Sequence, residues 1–466
     1  MKRIILVVPP SPQKRKIIRL IDCSHETKAN YLWQPNDFMI ITSLLEPEDE
    51  VLFLDGTCDG LSEKGFIARL SALKGDILFF ALSSVCWNSD QDYFRKTRDL
   101  FPDTPLFVIG DIFLEEYYRN IILKDCDGIV FMPYQLDLNA MVSCREGKEP
   151  SLPGCCTKAE QEVLPRGKQI RHVRSNVTRH EVFLRPGYRF PFARQFRFAT
   201  VTTMWGCPFT CSYCTDSRIP PMVRPAEDVI RELVYLDELK VKELFFADKT
   251  FGFYHDASFP LLEEMSRRFS FSWSCYFNPQ TYQPKLLELM KSAGCHTIII
   301  GIDSANMASL KQYNRNVSKQ RIHELVDHAN RLELNICADF ILGLEHESEQ
   351  DIVNTLEYAL GLPIDFASFN IAAPLPGSDI RQKAMKEGRL ILGQEGFDTL
   401  GHSGVLGSEK IDEKRVRKLR EEAVRKFYLR PSYLLRRLRR TTSWEHFRIQ
   451  FSEMLSLFRK VWKEGV

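Results

Sequence analysis

The chain has 466 residues, more than one ordinary core accommodates, so two or three domains are expected. With 44% apolar and 27% charged residues it has the composition of a globular protein, and a net charge of +2 argues against a polyanion binder. The 13 cysteines are scattered and odd in number, which suits a reduced interior better than a disulfide framework. No nucleic-acid partner is expected on this charge balance.

The opening Met-Lys-Arg-Ile-Ile-Leu-Val-Val-Pro-Pro has too short an apolar run for a signal core and reads as a first strand. No stretch reaches the ~18 apolar residues of a spanning helix, so the cytoplasm is the expected compartment. Over residues 1–140, short β-branched or aromatic runs alternate with amphipathic segments. Strands are predicted at Ile4–Val8, Val51–Asp55, Ile77–Leu82, Leu106–Gly110 and Gly128–Phe131, with a helix over Gln91–Leu100. This rhythm predicts a doubly wound, Rossmann-like parallel sheet with helices on both faces. Ligands of such sheets bind beyond the carboxyl ends of the strands. The residues there are Pro9, Pro10, Gly56, Thr57, Ser83, Ser84, Gly110 and Asp111.

Residues 141–195 are rich in Pro, Gly and basic residues and read as a connector ordered by packing. A second alternating block, 196–390, follows. Its predicted strands are Phe198–Thr203, Leu244–Ala247, Phe271–Tyr276, Thr297–Ile302, Ile336–Leu342 and Phe366–Ile371. Helices are predicted at Ala226–Leu239, Pro284–Ser292 and Lys319–Leu332. Six βα units predict a partial, TIM-like barrel with its chemistry on the loops at the carboxyl ends of the strands.

The most informative residues are Cys207, Cys211 and Cys214, in Met-Trp-Gly-Cys-Pro-Phe-Thr-Cys-Ser-Tyr-Cys directly after the first barrel strand. Three thiolates at this spacing suit three irons of a cubane 4Fe–4S cluster and leave the fourth iron open to a small molecule. A structural zinc site usually carries paired C-x2-C elements, and only one is present here. A disulfide cluster would need an oxidising compartment. Lone cysteines such as Cys86, Cys126, Cys275, Cys295 and Cys337 read as small buried hydrophobes, and Cys155-Cys156 lies in an irregular stretch.

The C-terminal region, 391–466, is expected to be helical. From Ile411 onward, 16 Lys+Arg face 7 Asp+Glu, a local excess of nine positive charges. Two readings stay open: a basic amphipathic helix on an anionic membrane surface, or packing helices with a solvated basic face.

The cysteine loop resembles that of the radical S-adenosylmethionine (radical SAM) enzymes that carry an N-terminal cobalamin-binding-type domain. Further motifs follow in the family's order: Phe246-Ala-Asp-Lys-Thr-Phe251, with Lys249 in place of an acid; Gly301-Ile-Asp-Ser-Ala-Asn306; Phe340-Ile-Leu-Gly-Leu-Glu345; Ala373-Pro-Leu-Pro-Gly-Ser378; and Phe427-Tyr-Leu-Arg-Pro431. In length and tail the chain is most similar to the radical SAM proteins of hopanoid biosynthesis, including the one that contracts a sugar ring.

The resemblance implies a 4Fe–4S cluster on the three cysteines and reductive cleavage of SAM to a 5′-deoxyadenosyl radical. That radical would attack an unactivated carbon of a small-molecule, sugar or lipid-linked substrate. An electron donor such as flavodoxin or ferredoxin is implied too. Tyr213 is the aromatic the family places before the last cysteine. Asp248 would accept from the SAM amino group, Asp303 and Ser304 would bond the ribose, and the backbone near Gly343 and Leu375 would flank the adenine. The resemblance also puts a corrin above Pro9, Pro10, Ser83, Ser84, Gly110 and Asp111, favouring cobalamin-dependent methylation. The chain departs from the family there: it has no Asp-x-His-x-x-Gly, and Gly110-Asp111-Ile112 and Phe131-Met-Pro-Tyr134 stand where glycine-rich loops are usual. A cobalamin-independent rearrangement is therefore the alternative, and a cluster-based sensor the alternative of another class. No residue is singled out as catalytic.

Overall fold

The computed structural model describes residues 1–20, 31–144, 151–161, 164, 167–390, 410–439, 441, 443–444 and 447–451. Parts of the predicted connector and C-terminal region, including 391–409 and 452–466, lie outside the described residues.

The first sheet contains β1 (Arg3–Val8), β2 (Glu50–Asp55), β3 (Ile77–Ala81), β4 (Leu106–Ile109), β5 (Gly128–Val130) and β6 (Cys155–Cys156). Their order is β2-β1-β3-β4-β5-β6. The first five are parallel, and β6 is an antiparallel edge strand on β5. These strands read as unbroken apolar runs because both faces are covered. Ile5 and Val7 point into one core and Ile4 and Leu6 into the other. The 2-1-3-4-5 order places a topological switch point between β1 and β3. Cys155-Cys156, irregular in the sequence, thus closes one edge of this sheet. The third helix starts at Trp87, four residues before the expected Gln91. Its polar first turn reads as a loop in isolation, but Trp87 is held edge-on by Phe113 and Tyr118.

After β7 (Arg171–His172), β8 (Phe198–Val201), β9 (Met204–Trp205) and β10 (Met222–Val223) come β11 (Glu243–Phe246), β12 (Ser272–Phe277), β13 (Cys295–Asp303), β14 (Asn335–Leu342) and β15 (Phe366–Ile371). Strands β8 and β11–β15 form one all-parallel, six-stranded sheet of consecutive neighbours, the expected partial barrel. Its outer edge, β15, is covered by the helix Glu413–Tyr428, which buries Val416, Leu419, Ala423 and Phe427. The Tyr428 hydroxyl donates to the Ala367 carbonyl at 2.8 Å and Arg420 to that of Phe369 at 3.0 Å. Part of the basic tail therefore shields a strand edge that would otherwise be open to pairing.

The connector is knitted to both units. Tyr188 donates to Asp55 at 2.5 Å, Asn176 to the Leu45 carbonyl at 2.9 Å, and the Ser175 amide to Asp228 at 3.1 Å. A second tie joins helical elements of the two units. Arg381, on the helix Asp379–Lys386, forms a buried two-pronged ion pair with Glu115 of the N-terminal unit.

Candidate active site

The cysteine loop leaves the carboxyl end of β8 and is fixed by its backbone. Gly206 has a φ of 79°, and a Cβ there would meet the Pro220 carbonyl oxygen at 2.3 Å, so only glycine fits. The Cys207 amide donates to the Ile219 carbonyl at 3.3 Å, the Cys214 amide to that of Cys211 at 3.0 Å, and the Ser212 amide to that of Tyr313 at 3.0 Å. The Ser212 carbonyl in turn accepts from Asp379 at 2.8 Å and Ile380 at 3.3 Å, the first amides of a helix. The three cysteines are half-buried free thiols. Burial pushes Cys207 up to about 11 and also raises Cys211 and Cys214. A bound metal opposes this by favouring the thiolate.

Asp248 is buried and faces the start of this loop. It accepts from the Thr203 amide at 2.7 Å, the Met204 amide at 3.1 Å and the Thr203 hydroxyl. Burial raises its pKa to about 6. The sequence-predicted SAM contact thus lies just behind the cysteine loop and braces it.

Tyr213 and Asp303 meet, as neither motif alone foretells. The Tyr213 hydroxyl donates to Asp303 Oδ2 at 2.9 Å, and Arg315 Nε donates to the same oxygen at 2.6 Å. Arg315 also reaches the Gly301 carbonyl. Asp303 ends β13 after a shift in strand register and sits at a φ of 69°, a conformation that aspartate tolerates better than most residues. Ser304 is buried, and its hydroxyl donates to Glu347 at 2.6 Å. Gly343, at a φ of 77°, lies under Val416 of the C-terminal helix. The Leu375 carbonyl accepts from Ser378 in the turn after β15. Arg315 and Glu347 belong to no local motif that would mark them in the sequence.

Glu347 has a testable consequence. Burial lifts its carboxyl from 4.5 to about 7. The folded chain therefore keeps a proton that the unfolded chain has lost, and stability falls as pH rises from 4.5 to 7. Glu347→Gln is expected to remove that slope, worth roughly 3 kcal/mol across the window. Denaturant unfolding of both proteins at several pH values checks this; parallel curves would refute it.

A family model described as the radical SAM superfamily matches residues 201–359. An uncharacterized methyltransferase of Pyrococcus horikoshii is 30% identical over 93% of this chain and 94% of its own length. The chain belongs to the radical SAM superfamily. The hopanoid C-2 methylase of Rhodopseudomonas palustris is 24% identical over 44% of this chain and 41% of that one. Among solved structures, OxsB, a cobalamin-dependent radical SAM enzyme with aqua-cobalamin and S-adenosylmethionine bound, has a TM-score of 0.63 at 14% identity. That match covers 98% of this chain and 72% of OxsB and speaks to the shared fold.

Radical SAM enzymes use a 4Fe–4S cluster and SAM. The donor set of the loop suits that cluster: three thiols on one short, backbone-fixed turn. Among the described residues no group of three or more His, Cys, Asp or Glu converges on one ion. A cubane asks for no such convergence, since each thiolate holds a different iron.

The strand ends of the N-terminal unit are closed from above by the chain itself. Arg19 is buried and donates to Asp90 at 2.8 Å, Thr57 at 2.7 Å, Ser11 at 3.2 Å and the Pro10 carbonyl at 3.3 Å. The Pro9 carbonyl accepts from Thr57 at 2.9 Å. Ser83 bonds Asp90 through its amide and hydroxyl, both at 3.1 Å, and Ser84 bonds Asp111 at 3.0 and 2.5 Å. A Cβ on Gly110 would meet the Leu82 carbonyl oxygen at 2.1 Å. These sequence-predicted cobalamin residues satisfy one another beneath Arg19 and do not form an open cradle.

Beside them, between the two sheets, lies a narrow cleft with a cavity volume of about 50 Å³. Ile18, Arg19 and Leu20 line it from the N-terminal side, and Thr200, Met204, Trp205, Phe245, Ala247 and Lys249 from the barrel. No histidine is among the described residues that line it. Its walls mix apolar side chains with polar ones, among them Arg19, Gln34, Asn36, Asp37, Asp216 and Lys249, and as it stands the cleft is too narrow for a large ring.

Proposed function

We propose that this radical SAM enzyme methylates an unactivated carbon of a small-molecule or lipid-linked substrate and uses cobalamin to do so. The observation that carries this reading is the narrow cleft between the two sheets, which runs from Ile18–Leu20 to Met204–Gly206 at the start of the cysteine loop and would have to widen to take a corrin. A ring held there would lie within reach of chemistry at the loop. When bound, the cluster and SAM supply the radical that removes hydrogen, and cobalamin supplies the methyl group. Cys207, Cys211 and Cys214 hold the cluster in this reading. Asp248 fixes the loop, and Tyr213, Asp303 and Arg315 build the wall beside it. The methyltransferase name of the Pyrococcus horikoshii relative supports the transfer. Exposed Leu435, Trp444 and Phe451 on the basic C-terminal stretch suit a lipid-linked substrate or a membrane surface. Flavodoxin or ferredoxin is the proposed source of electrons.

The Arg19 closure favours a second reading. If the N-terminal unit takes no corrin, the substrate radical rearranges instead, as in contraction of a sugar ring. One experiment separates the two. Protein with its cluster reconstituted is loaded with hydroxocobalamin and desalted. Retention of near one equivalent of corrin is expected, with no nitrogen splitting in the electron paramagnetic resonance (EPR) spectrum of its cob(II)alamin form, because no histidine lines the cavity among the described residues. Complete loss of corrin with SAM cleavage preserved would overturn methylation and leave the rearrangement. Absence of any SAM cleavage would favour a sensor.

A further inference from the structure

We infer that Lys168 is a positioning residue of the cluster site and that its ammonium charge raises the cluster's reduction potential. This rests on the reading that Cys207, Cys211 and Cys214 hold a 4Fe–4S cluster. Lys168 belongs to the connector, outside every motif of the barrel. Its Nζ donates to the Ile219 carbonyl at 2.7 Å and to the Asp216 carbonyl at 2.9 Å. The Ile219 carbonyl is also the acceptor of the Cys207 amide. Asp216 follows Cys214 by two residues, and the Cys214 thiol points at its Oδ2 at 3.8 Å. The ammonium group thus stands on two carbonyls that flank the cysteine loop, one shared with the first cysteine and one beside the last.

The charges around it add up in one direction. Burial lowers the Lys168 pKa, while Cys207, Asp216, Cys214 and Cys211 act to raise it. Lys249 lies 3.5 Å from the Asp216 carboxylate and answers that charge. Lys168, Lys249 and Asp216 together leave one positive charge beside the three thiols. Lys249 is also the residue that replaces an acid in the second barrel motif, so the excess is partly written in this chain's departure from its family. Reduction adds one electron to a cluster that already bears three thiolates. A cation held nearby, partly out of water, favours the reduced state. The electron comes from an external donor and no bond is made or broken.

The test is a potentiometric titration of the SAM-free cluster, followed by EPR with dithionite and redox mediators. Wild type, Lys168→Met and Lys168→Arg are compared after anaerobic reconstitution, with iron counted in each. All three are expected to keep their iron. Lys168→Met is expected to disfavour reduction at least tenfold, about 59 mV for a one-electron couple, and Lys168→Arg to stay within threefold of wild type. An unchanged potential in Lys168→Met overturns the proposal. If that variant loses iron, Lys168→Gln, which can still donate to the carbonyls, is titrated in its place, and an unchanged potential there overturns it equally. Failure of wild type to hold iron is a separate outcome that defeats the cluster reading itself.

Discussion

Replacing Cys207, Cys211 and Cys214 together with alanine is expected to abolish iron binding and reduce SAM cleavage to less than a thousandth of the wild-type rate, while the fold survives. Wild-type protein reconstituted without oxygen should bind about four irons, the content of one cubane. Three thiolates are the loop's contribution, and no backbone group replaces them. The fold should survive because the loop's shape does not depend on its thiols. It is set by the amides of Cys207, Ser212 and Cys214, by the Ser212 carbonyl on a helix terminus and by Asp248 on Thr203 and Met204. Iron analysis, formation of 5′-deoxyadenosine and thermal unfolding of the triple variant read the three parts independently. Four irons retained in the variant would assign the cluster to other cysteines. Unfolding of the variant would show that the thiols carry the loop.

The five parallel strands of the first sheet and the six of the barrel were legible as short, largely apolar runs, whereas the two-residue strands such as Cys155–Cys156 were not, and the cysteine loop was legible because three ligands lie within eight residues. What could not be read is long-range and polar. Arg19 meets Asp90 and closes the very strand ends expected to receive a ligand. Arg315 meets Asp303, Ser304 meets Glu347, and Lys168 meets the cysteine loop from a stretch of weak periodicity. Each partner looks like an ordinary surface or turn residue until the topology brings it in. Alternation of hydrophobicity reports which face is buried, and it says nothing about which buried charge answers which. The same limit explains the tail: its basic count was plain, but its apolar stripe over β15 shows only against the strand it covers.

The Asp303–Arg315 pair is expected to hold both the wall of the site and part of the stability. Both side chains are buried, 9% and 6% exposed, so neither partner can fall back on water. Arg315→Met leaves the Asp303 carboxylate buried with only Tyr213 as donor and should destabilise the chain by about 3–5 kcal/mol. Asp303→Asn keeps a residue that tolerates the positive φ and leaves Arg315 with an amide oxygen, so its loss should be smaller. The double variant Asp303→Asn with Arg315→Met has no unpaired charge and should recover much of what Arg315→Met loses. Simple additivity of the two single losses in denaturant unfolding would show that the pair is not coupled. A second readout separates function from folding. Asp303→Asn should keep its iron, because the residue lies outside the cysteine ligand set. It should still bind SAM at least tenfold more weakly in calorimetric titration of the reconstituted protein. Loss of iron, or unchanged SAM affinity, would remove Asp303 from the SAM site and leave it a structural brace for Tyr213.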